Sequence, residues 1–184
     1  MGMLNKVVET KTSQPGLLST NLENVKKGLS YVESSGGKNL FNPDSSATGK
    51  YQILYNNVDD NHANGLTREE FAYDFALQDD ILEQRFNGQG GFSDPNEMNM
   101  VSYNQRLKKD YAESIKKAGY TDQDLYALQW YLGKQGTREY LGYVIRDGKP
   151  LIEVFPRIFG DGAKAINKTP DEYVMAFREG IKKG

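Results

Sequence analysis

The sequence predicts one α+β domain that is mainly helical, with a small β element after its first helix. Two observations predict this class: apolar residues recur at helical spacing in several segments, and capping patterns precede most of those segments. A third observation is a short stretch whose apolar residues alternate as they do in a strand. The chain of 184 residues has the length of about one domain. It is long enough to bury a core without disulfides.

The first 33 residues divide into an arm and a helix. Residues 1–19 are polar and weakly periodic, with a Pro-Gly pair near their end, and terminal segments of this kind are often flexible. The domain is therefore expected to cover residues 20–184. Thr20 and Glu23 have the spacing of a capping box, so the first helix is expected to run from there to about Glu33. Its apolar positions are Leu22, Val25, Leu29 and Val32.

Four later helices are predicted from capping patterns and periodicity. Their expected starts are Thr67-x-x-Glu70, Asp94-Pro95-Asn96-Glu97, Thr121-x-x-Asp124 and Thr169-Pro170-Asp171-Glu172. The earliest of the four is expected to direct inward the residues Phe71, Phe75, Ile81 and Leu82. Before it, a region rich in Asn, Pro, Ser and Gly predicts a loop or short hairpin, in which the alternating strand residues are Tyr51, Ile53 and Tyr55.

Composition excludes several classes of function. The net charge is −2 and no basic patch is evident, so we expect no nucleic-acid partner. There is no cysteine, and the single His62 cannot form a histidine cluster, so neither a metal nor a cofactor is expected. No stretch is long and apolar enough to span a bilayer. The amino terminus lacks a charged leader with a following apolar run, so we expect no secretory signal and synthesis in the cytoplasm.

Glu33 is the strongest candidate for catalysis. Cleavage of a glycosidic bond needs a proton on the leaving oxygen, and a carboxylic acid that stays protonated near neutral pH supplies one. Glu33 is near the carboxyl end of a predicted helix, where the dipole disfavours negative charge. It also follows Tyr31 and Val32, which would shield it from water and raise its pKa. By position alone, a solvated glutamate at a helix end is the commoner explanation.

Two motifs around Glu33 resemble a known family. Glu33-Ser34, followed by Gly49-Lys50-Tyr51-Gln52-Ile53, is similar to the signature of the lysozyme-like lytic transglycosylases, which is Glu-Ser and then Gly-x-x-Gln-Ile. The intervening Phe41-Asn42-Pro43-Asp44-Ser45 resembles the Asn-Pro-x-Ser of that family. Together these motifs are fairly specific.

A third segment extends the resemblance. Ala127 to Gly133 is similar to the family's Ala-Leu-Ala-Tyr-Asn-Ala-Gly, and residues 136–141 continue the likeness. The segment departs from the family at Trp130, where the family has Tyr, and at Tyr131, where it has Asn. The resemblance therefore does not imply, for this chain, the hydrogen bond that is attributed to that Asn in the family. The whole resemblance covers about residues 20 to 145.

The resemblance implies a lysozyme-like fold and an enzyme that cleaves the MurNAc–GlcNAc β-1,4 bond of peptidoglycan. A single glutamate, Glu33, would act as acid and then as base for the sugar's own 6-hydroxyl, leaving a 1,6-anhydro end. Ser34 would orient the glutamate, and Gln52 would bind an acetamido sugar. Tyr51, Trp130 and Tyr131 complete the expected substrate-binding set. A sugar platform and core packing are equally plausible for Trp130, and Gly49 is expected to serve backbone shape.

Other functions stay open at this point. A hydrolytic lysozyme would pair Glu33 with an aspartate, and the aspartates in the right region are Asp44, Asp59 and Asp60. A virion structural protein or wall-binding module without activity is the alternative from another class. The expected partners are peptidoglycan glycan strands and other virion or tail proteins. Because no leader is visible, association with a phage particle and action in the periplasm or cell wall at entry are expected, and a bacterial wall-remodelling enzyme without its leader is the alternative. Residues 148–168 would pack on the core or bind a partner.

Overall fold

A computed structural model describes residues 15–58, 65–87, 99–146 and 168–184. These residues are mainly helical, with one two-stranded antiparallel sheet among them, so the predicted α+β, mainly helical class is confirmed. In chain order the elements are α1 (Pro15–Ser34), β1 (Ala47–Thr48), β2 (Ile53–Leu54), a 3₁₀ turn (Tyr55–Asn57), α2 (Arg68–Tyr73), α3 (Phe75–Asn87), α4 (Met100–Asp110), α5 (Ala112–Ala118), α6 (Asp122–Arg146) and α7 (Pro170–Lys183).

Helix α1 begins earlier than the sequence analysis predicted. It starts at Pro15, and a proline suits a first helical turn because its missing N–H would have no partner there. Thr20 and Glu23 therefore lie inside the helix, and the predicted capping box at its start is wrong. Residues 15–19 of the predicted arm are helical, and residues 1–14 lie outside the described part of the chain. The helix ends at Ser34, close to the predicted end.

The predicted hairpin is present but its strands are short. Ala47 pairs with Leu54 and Thr48 with Ile53, in antiparallel register. An isolated bridge adds Phe41 opposite Thr48. The strand predicted over Tyr51, Ile53 and Tyr55 is too long, because the chain enters a 3₁₀ turn at Tyr55.

Two of the later predicted helices are each interrupted. Thr67 and Glu70 form the expected capping box, but the helix breaks at Asp74, so that α2 and α3 are separate. Phe75 follows that break and is 40% exposed, so its predicted inward direction is wrong. A second break at Tyr111, whose backbone is non-helical, separates α4 from α5.

The start predicted for α4 is also wrong. The helix begins at Met100, with Asn99 as its N-cap, because the Asn99 side chain accepts a hydrogen bond from the Ser102 N–H. The expected start at residues 94–97 lies outside the described residues. The starts of α6 and α7 are confirmed. Thr121 and Asp124 bond reciprocally at the start of α6, and a complete capping box precedes α7.

The core joins α1, the hairpin, α2, α3, α4, α6 and α7. Its largest fully buried side chains include Leu29, Tyr51, Phe71, Phe86 and Phe177. None of the helices in the described ranges combines the length and the apolar character that a membrane crossing needs.

Two glycines allow α1 and α7 to approach closely. A Cβ on Gly180 would lie 2.4 Å from the Tyr31 Cβ, and one on Gly28 would lie 2.5 Å from the Phe177 ring. Since Cβ atoms do not come that close, only glycine fits at this crossing. The two helices can therefore bring side chains near the end of α1 against the first turn of α7.

Candidate active site

Glu33 occupies the last turn of α1, and its carboxyl is largely enclosed although the side chain keeps an opening to solvent. Burial raises the pKa of this carboxyl from 4.5 to about 7. Two groups act in the opposite direction and favour the ionised form: the hydroxyl of Tyr173 and the ammonium of Lys168. Because burial outweighs both, Glu33 keeps its proton to a higher pH than an exposed glutamate does.

Tyr173 is the nearest hydrogen-bond partner of Glu33. It lies in the first turn of α7, is buried, and donates its hydroxyl proton to Oε1 of Glu33. Burial, followed by the charge of Glu33, holds the pKa of Tyr173 well above its ordinary value, so the phenol remains a donor at neutral pH. Sequence reasoning did not assign Tyr173 to the site. The residue is 140 positions from Glu33, and its only local signal was an apolar-face position in a capped helix.

Tyr131 completes this cluster from α6. Its ring stacks on that of Tyr173, with 4.2 Å between centroids and 12° between planes. Its hydroxyl donates a hydrogen bond to the main-chain oxygen of Lys168, just before α7. Burial, with a contribution from Glu33, raises the pKa of Tyr131 to about 12. We call Glu33, Tyr131, Lys168 and Tyr173 the helix junction.

Helix α6 is interrupted at Gly133, two residues after Tyr131. Gly133 has φ 69° and ψ 172°, which no helical residue adopts and which glycine tolerates best. The helical stretches before and after it therefore meet at a bend. Gly133 is part of the third motif of the sequence analysis, and Trp130 and Tyr131 lie at the end of the stretch before the bend.

Ser34 is a connector between α1 and the hairpin. Its buried Oγ lies 2.8 Å from the Lys50 carbonyl and 3.0 Å from the Ser30 carbonyl, and it accepts a hydrogen bond from the Gly37 N–H at 2.8 Å. Ser34 is 1% exposed. This geometry fixes the main chain directly after Glu33, which is consistent with an orienting role but not with direct substrate contact.

Tyr51 and Trp130 pack against each other under the site. Tyr51 is 1% exposed and donates its hydroxyl proton to Asp79, which also forms an ion pair with Lys50 at 2.8 Å. The indole N–H of Trp130 donates to the Tyr51 carbonyl at 3.2 Å, and the two rings meet edge to face. The Tyr51 side chain is therefore part of the core, and Trp130 is at the core's edge with one ring face 5.3 Å from the Arg85 guanidinium.

Gln52 and Gly49 shape the turn between the two strands. The Gln52 carboxamide donates to the Gly49 carbonyl at 2.9 Å and to the Asn39 carbonyl at 3.1 Å. Gln52 has φ 49°, an uncommon conformation for a residue with a Cβ. Gly49 has φ 80°, and a Cβ there would meet the Gln78 carboxamide at 2.1 Å. Gly49 therefore serves backbone shape, as expected.

Gln78 is a buried support that the sequence analysis missed. Its Oε1 accepts from the Lys50 N–H at 2.7 Å, and its Nε2 donates to the Phe71 carbonyl at 2.7 Å. One side chain of α3 thus links the hairpin to the end of α2. Sequence gave no signal for it, because a glutamine on a helix is usually exposed.

Of the three aspartates of the hydrolytic alternative, Asp44 alone lies in the described residues. Asp44 is exposed, and its main-chain N–H donates to the Asn42 side chain at 2.9 Å. Asp59, Asp60 and His62 lie outside the described residues, as does the segment from 148 to 167. Across the described ranges no group of three or more His, Cys, Asp or Glu residues could hold a metal ion.

No family model matches the chain, and neither curated proteins nor solved structures gave a match. The chemistry of the site must therefore be argued from its own groups. The helix junction holds a carboxyl with a pKa near neutrality beside a phenol donor. Such a carboxyl can give up and take back a proton within one reaction cycle.

Proposed function

We propose that the protein is a peptidoglycan lytic transglycosylase with a lysozyme-like fold, in which Glu33 is the acid and base. The observation that carries this proposal is the enclosed Glu33 carboxyl with its pKa raised to about 7. The motif likeness of residues 33–34, 49–53 and 127–133 to that family supplies the substrate class. The substrate would be the β-1,4 bond between MurNAc and GlcNAc.

In the proposed reaction, protonated Glu33 gives its proton to the glycosidic oxygen as the bond from that oxygen to the anomeric carbon breaks. Positive charge then develops at the sugar ring. The 6-hydroxyl of the same sugar attacks the anomeric carbon, and Glu33 takes the proton from that hydroxyl. No water is consumed, and the glutamate returns to its starting state. The proximity of an internal hydroxyl makes a second carboxylate unnecessary.

Tyr173 and Lys168 would stabilise Glu33 after it has given its proton to the glycosidic oxygen. Each favours the ionised form of Glu33, which exists after the first proton transfer. Because the first step needs the protonated form, kcat/KM should fall as pH rises above about 7. The fall should approach about tenfold per pH unit for loss of one proton.

Replacement of the acid is the direct test. Glu33→Gln keeps the shape of the side chain but removes its exchangeable proton, so glycan cleavage should fall by roughly 10²–10⁴-fold or more. The matched control is Glu23→Gln, the same change at an exposed position of α1, which should retain wild-type turnover. Release of soluble fragments from purified peptidoglycan measures both. Wild-type activity in a folded Glu33→Gln protein would reject the assignment.

Product mass distinguishes the transglycosylase from the hydrolase. The proposed route gives 1,6-anhydro ends, whereas hydrolysis gives products about 18 mass units heavier, one water. Mass spectrometry of the digest should find the anhydro form. Products with only free reducing ends would favour a lysozyme, while binding to peptidoglycan without release of fragments would favour a wall-binding module.

A further inference from the structure

Two contacts hold the Tyr131 side chain, one through its ring and one through its hydroxyl, and both are with residues of the helix junction. Its ring face covers the ring of Tyr173 at 4.2 Å, nearly parallel. Its hydroxyl donates to the main-chain oxygen of Lys168. One face of the Tyr131 ring is therefore occupied by protein, which leaves less of this residue for a sugar platform.

We propose that Tyr131 is a positioning residue for Glu33. Its ring keeps the Tyr173 phenol aimed at the Glu33 carboxyl, and its hydroxyl fixes the chain at Lys168. This inference rests on the proposed function, since the positioned proton donor is the proposed catalytic acid.

The stack limits where the Tyr173 hydroxyl can go. Tyr173 reaches Oε1 of Glu33 with an oxygen at the far end of a stiff ring, so a tilt of that ring moves the oxygen away from the carboxyl. The near-parallel Tyr131 ring opposes such a tilt on one side. Stacked aromatic pairs are favoured beyond the apolar area that they bury.

The hydroxyl of Tyr131 acts on a different part of the junction. Lys168 is the residue directly before Thr169, the N-cap of α7. Holding the Lys168 carbonyl therefore fixes the entry of the chain into α7 and restrains the residue whose ammonium charge acts on Glu33. Within the described residues, the groups that shift the pKa of Glu33 are Tyr173 and Lys168, and the charges of Glu33 and Glu172 act in turn on Tyr131.

Two variants separate the ring from the hydroxyl. Tyr131→Phe keeps the stack and removes the bond to Lys168, whereas Tyr131→Leu removes both and keeps an apolar side chain in place. The matched control is Tyr103→Phe, because Tyr103 also donates its hydroxyl proton to a lysine main-chain oxygen, that of Lys134 at 3.0 Å. Tyr103 has no part in the helix junction, so this control measures the loss of a similar bond elsewhere.

The first readout is the pKa of Glu33, followed by NMR of protein labelled with ¹³C at the glutamate carboxyl. Tyr173 and Lys168 both favour ionised Glu33, and Tyr131→Phe loosens Lys168 while its ring still covers the site, so the pKa of Glu33 should rise in that variant. Tyr103→Phe should leave it unchanged. A folded Tyr131→Phe protein with an unchanged or lowered Glu33 pKa would overturn the proposal. The leucine variant is read by kinetics, because its smaller side chain also admits water and so lowers the pKa of Glu33.

The second readout is kinetic. Tyr131→Leu should lower kcat by about tenfold, within the roughly 10²-fold that a misplacement of 1 Å can cause, with little change in KM. A raised KM at unchanged kcat in Tyr131→Leu, with the Glu33 pKa unchanged in Tyr131→Phe, would identify Tyr131 as a sugar platform and reject the positioning role. The NMR titration needs no substrate, so it tests Tyr131 even if the wild-type protein fails to cleave peptidoglycan.

Discussion

The hairpin region, residues 39–58, and the helix junction carry the same kinds of side chain but connect them differently. In the hairpin region the polar groups bond mainly to nearby main chain, as Gln52 does with the carbonyls of Gly49 and Asn39. In the helix junction, side chains far apart in sequence meet, as Tyr173 and Glu33 do across 140 positions. The hairpin bonds shape a turn, whereas the junction contacts change the chemistry of a carboxyl.

This difference separates support from reactivity. Bonds to main-chain carbonyls satisfy the polar groups of Gln52 and Ser34, so these groups stabilise the turn and its connection to α1. Side chains from three helices enclose the Glu33 carboxyl, which accepts one hydrogen bond from the Tyr173 phenol. That combination leaves its charged form poorly stabilised, which is what a proton donor requires.

The largest expected effect concerns the dependence of stability on pH. The pKa of Glu33 is about 7 in the folded protein against an ordinary value of 4.5. Below pH 4.5 both states hold the proton. Between pH 4.5 and 7 the unfolded chain loses it first, so the stability that the protonated carboxyl contributes is lost as pH rises through 7. The full loss is about 3 kcal/mol in the free energy of unfolding.

Glu33→Gln removes this titration, so its unfolding free energy relative to wild type should rise by about 3 kcal/mol between pH 4 and 8. Urea unfolding of both proteins at four pH values across that range measures the difference, and other titrating groups cancel in the subtraction. A flat difference would show that Glu33 ionises as freely in the folded protein as in the unfolded chain.

A smaller effect is expected from the helix crossing that makes the junction. Gly180→Ala places a Cβ 2.4 Å from the Tyr31 Cβ, so α1 and α7 must separate. Overpacking of this kind costs about 1–3 kcal/mol, of which the better helix propensity of alanine returns up to about 1 kcal/mol. Separation should also weaken the Glu33–Tyr173 contact, so glycan cleavage should fall together with stability.

The control for this change is Gly142→Ala in α6. A Cβ there would have its nearest atom, Cε1 of Tyr111, at 3.8 Å, which is an ordinary contact. This variant should be neutral or more stable by up to about 1 kcal/mol. Thermal melts of both variants measure the change in stability, and fragment release measures the change in glycan cleavage. Equal stability of the two alanine variants would mean that the helices do not depend on a glycine crossing.

The sequence predicted the features that depend on residues close together in the chain and missed those that depend on contacts between distant residues. The capping boxes at Thr67 and Thr169 were found because their bonds span three residues. Glu33 was selected as the candidate acid because a helix end and a motif mark it, and the structure adds its enclosed environment. The start of α1 at Pro15 was missed because Thr20 and Glu23 have the spacing of a capping box. The break at Asp74 was missed because the Asp74 side chain caps a new helix, accepting a hydrogen bond from the Leu77 N–H.

Long-range contacts explain the remaining errors at the site. Tyr51 was expected to contact substrate, but Asp79 and Trp130 enclose it in the core. Tyr173 was not expected at the site at all, because nothing near it in sequence indicates that α7 crosses α1. The glycines that permit the crossing, Gly28 and Gly180, have no local role that would have drawn attention to them.

The smallest expected effect is in the hairpin region. Gln52→Ala removes two neutral hydrogen bonds to main-chain oxygens that water can partly replace, so the free energy of unfolding should fall by about 0.5–1.5 kcal/mol. The resemblance also implies contact with an acetamido group, so KM should rise, by less than about tenfold for one hydrogen bond. The control for Gln52→Ala is Asn56→Ala, which removes an exposed amide from the adjoining 3₁₀ turn and should alter neither stability nor KM. Urea unfolding measures the change in stability, and the dependence of fragment release on substrate concentration measures the change in KM. If stability falls and KM stays constant, Gln52 serves the turn alone; if KM rises at constant stability, the carboxamide faces the sugar and the contrast between the two regions fails at this residue.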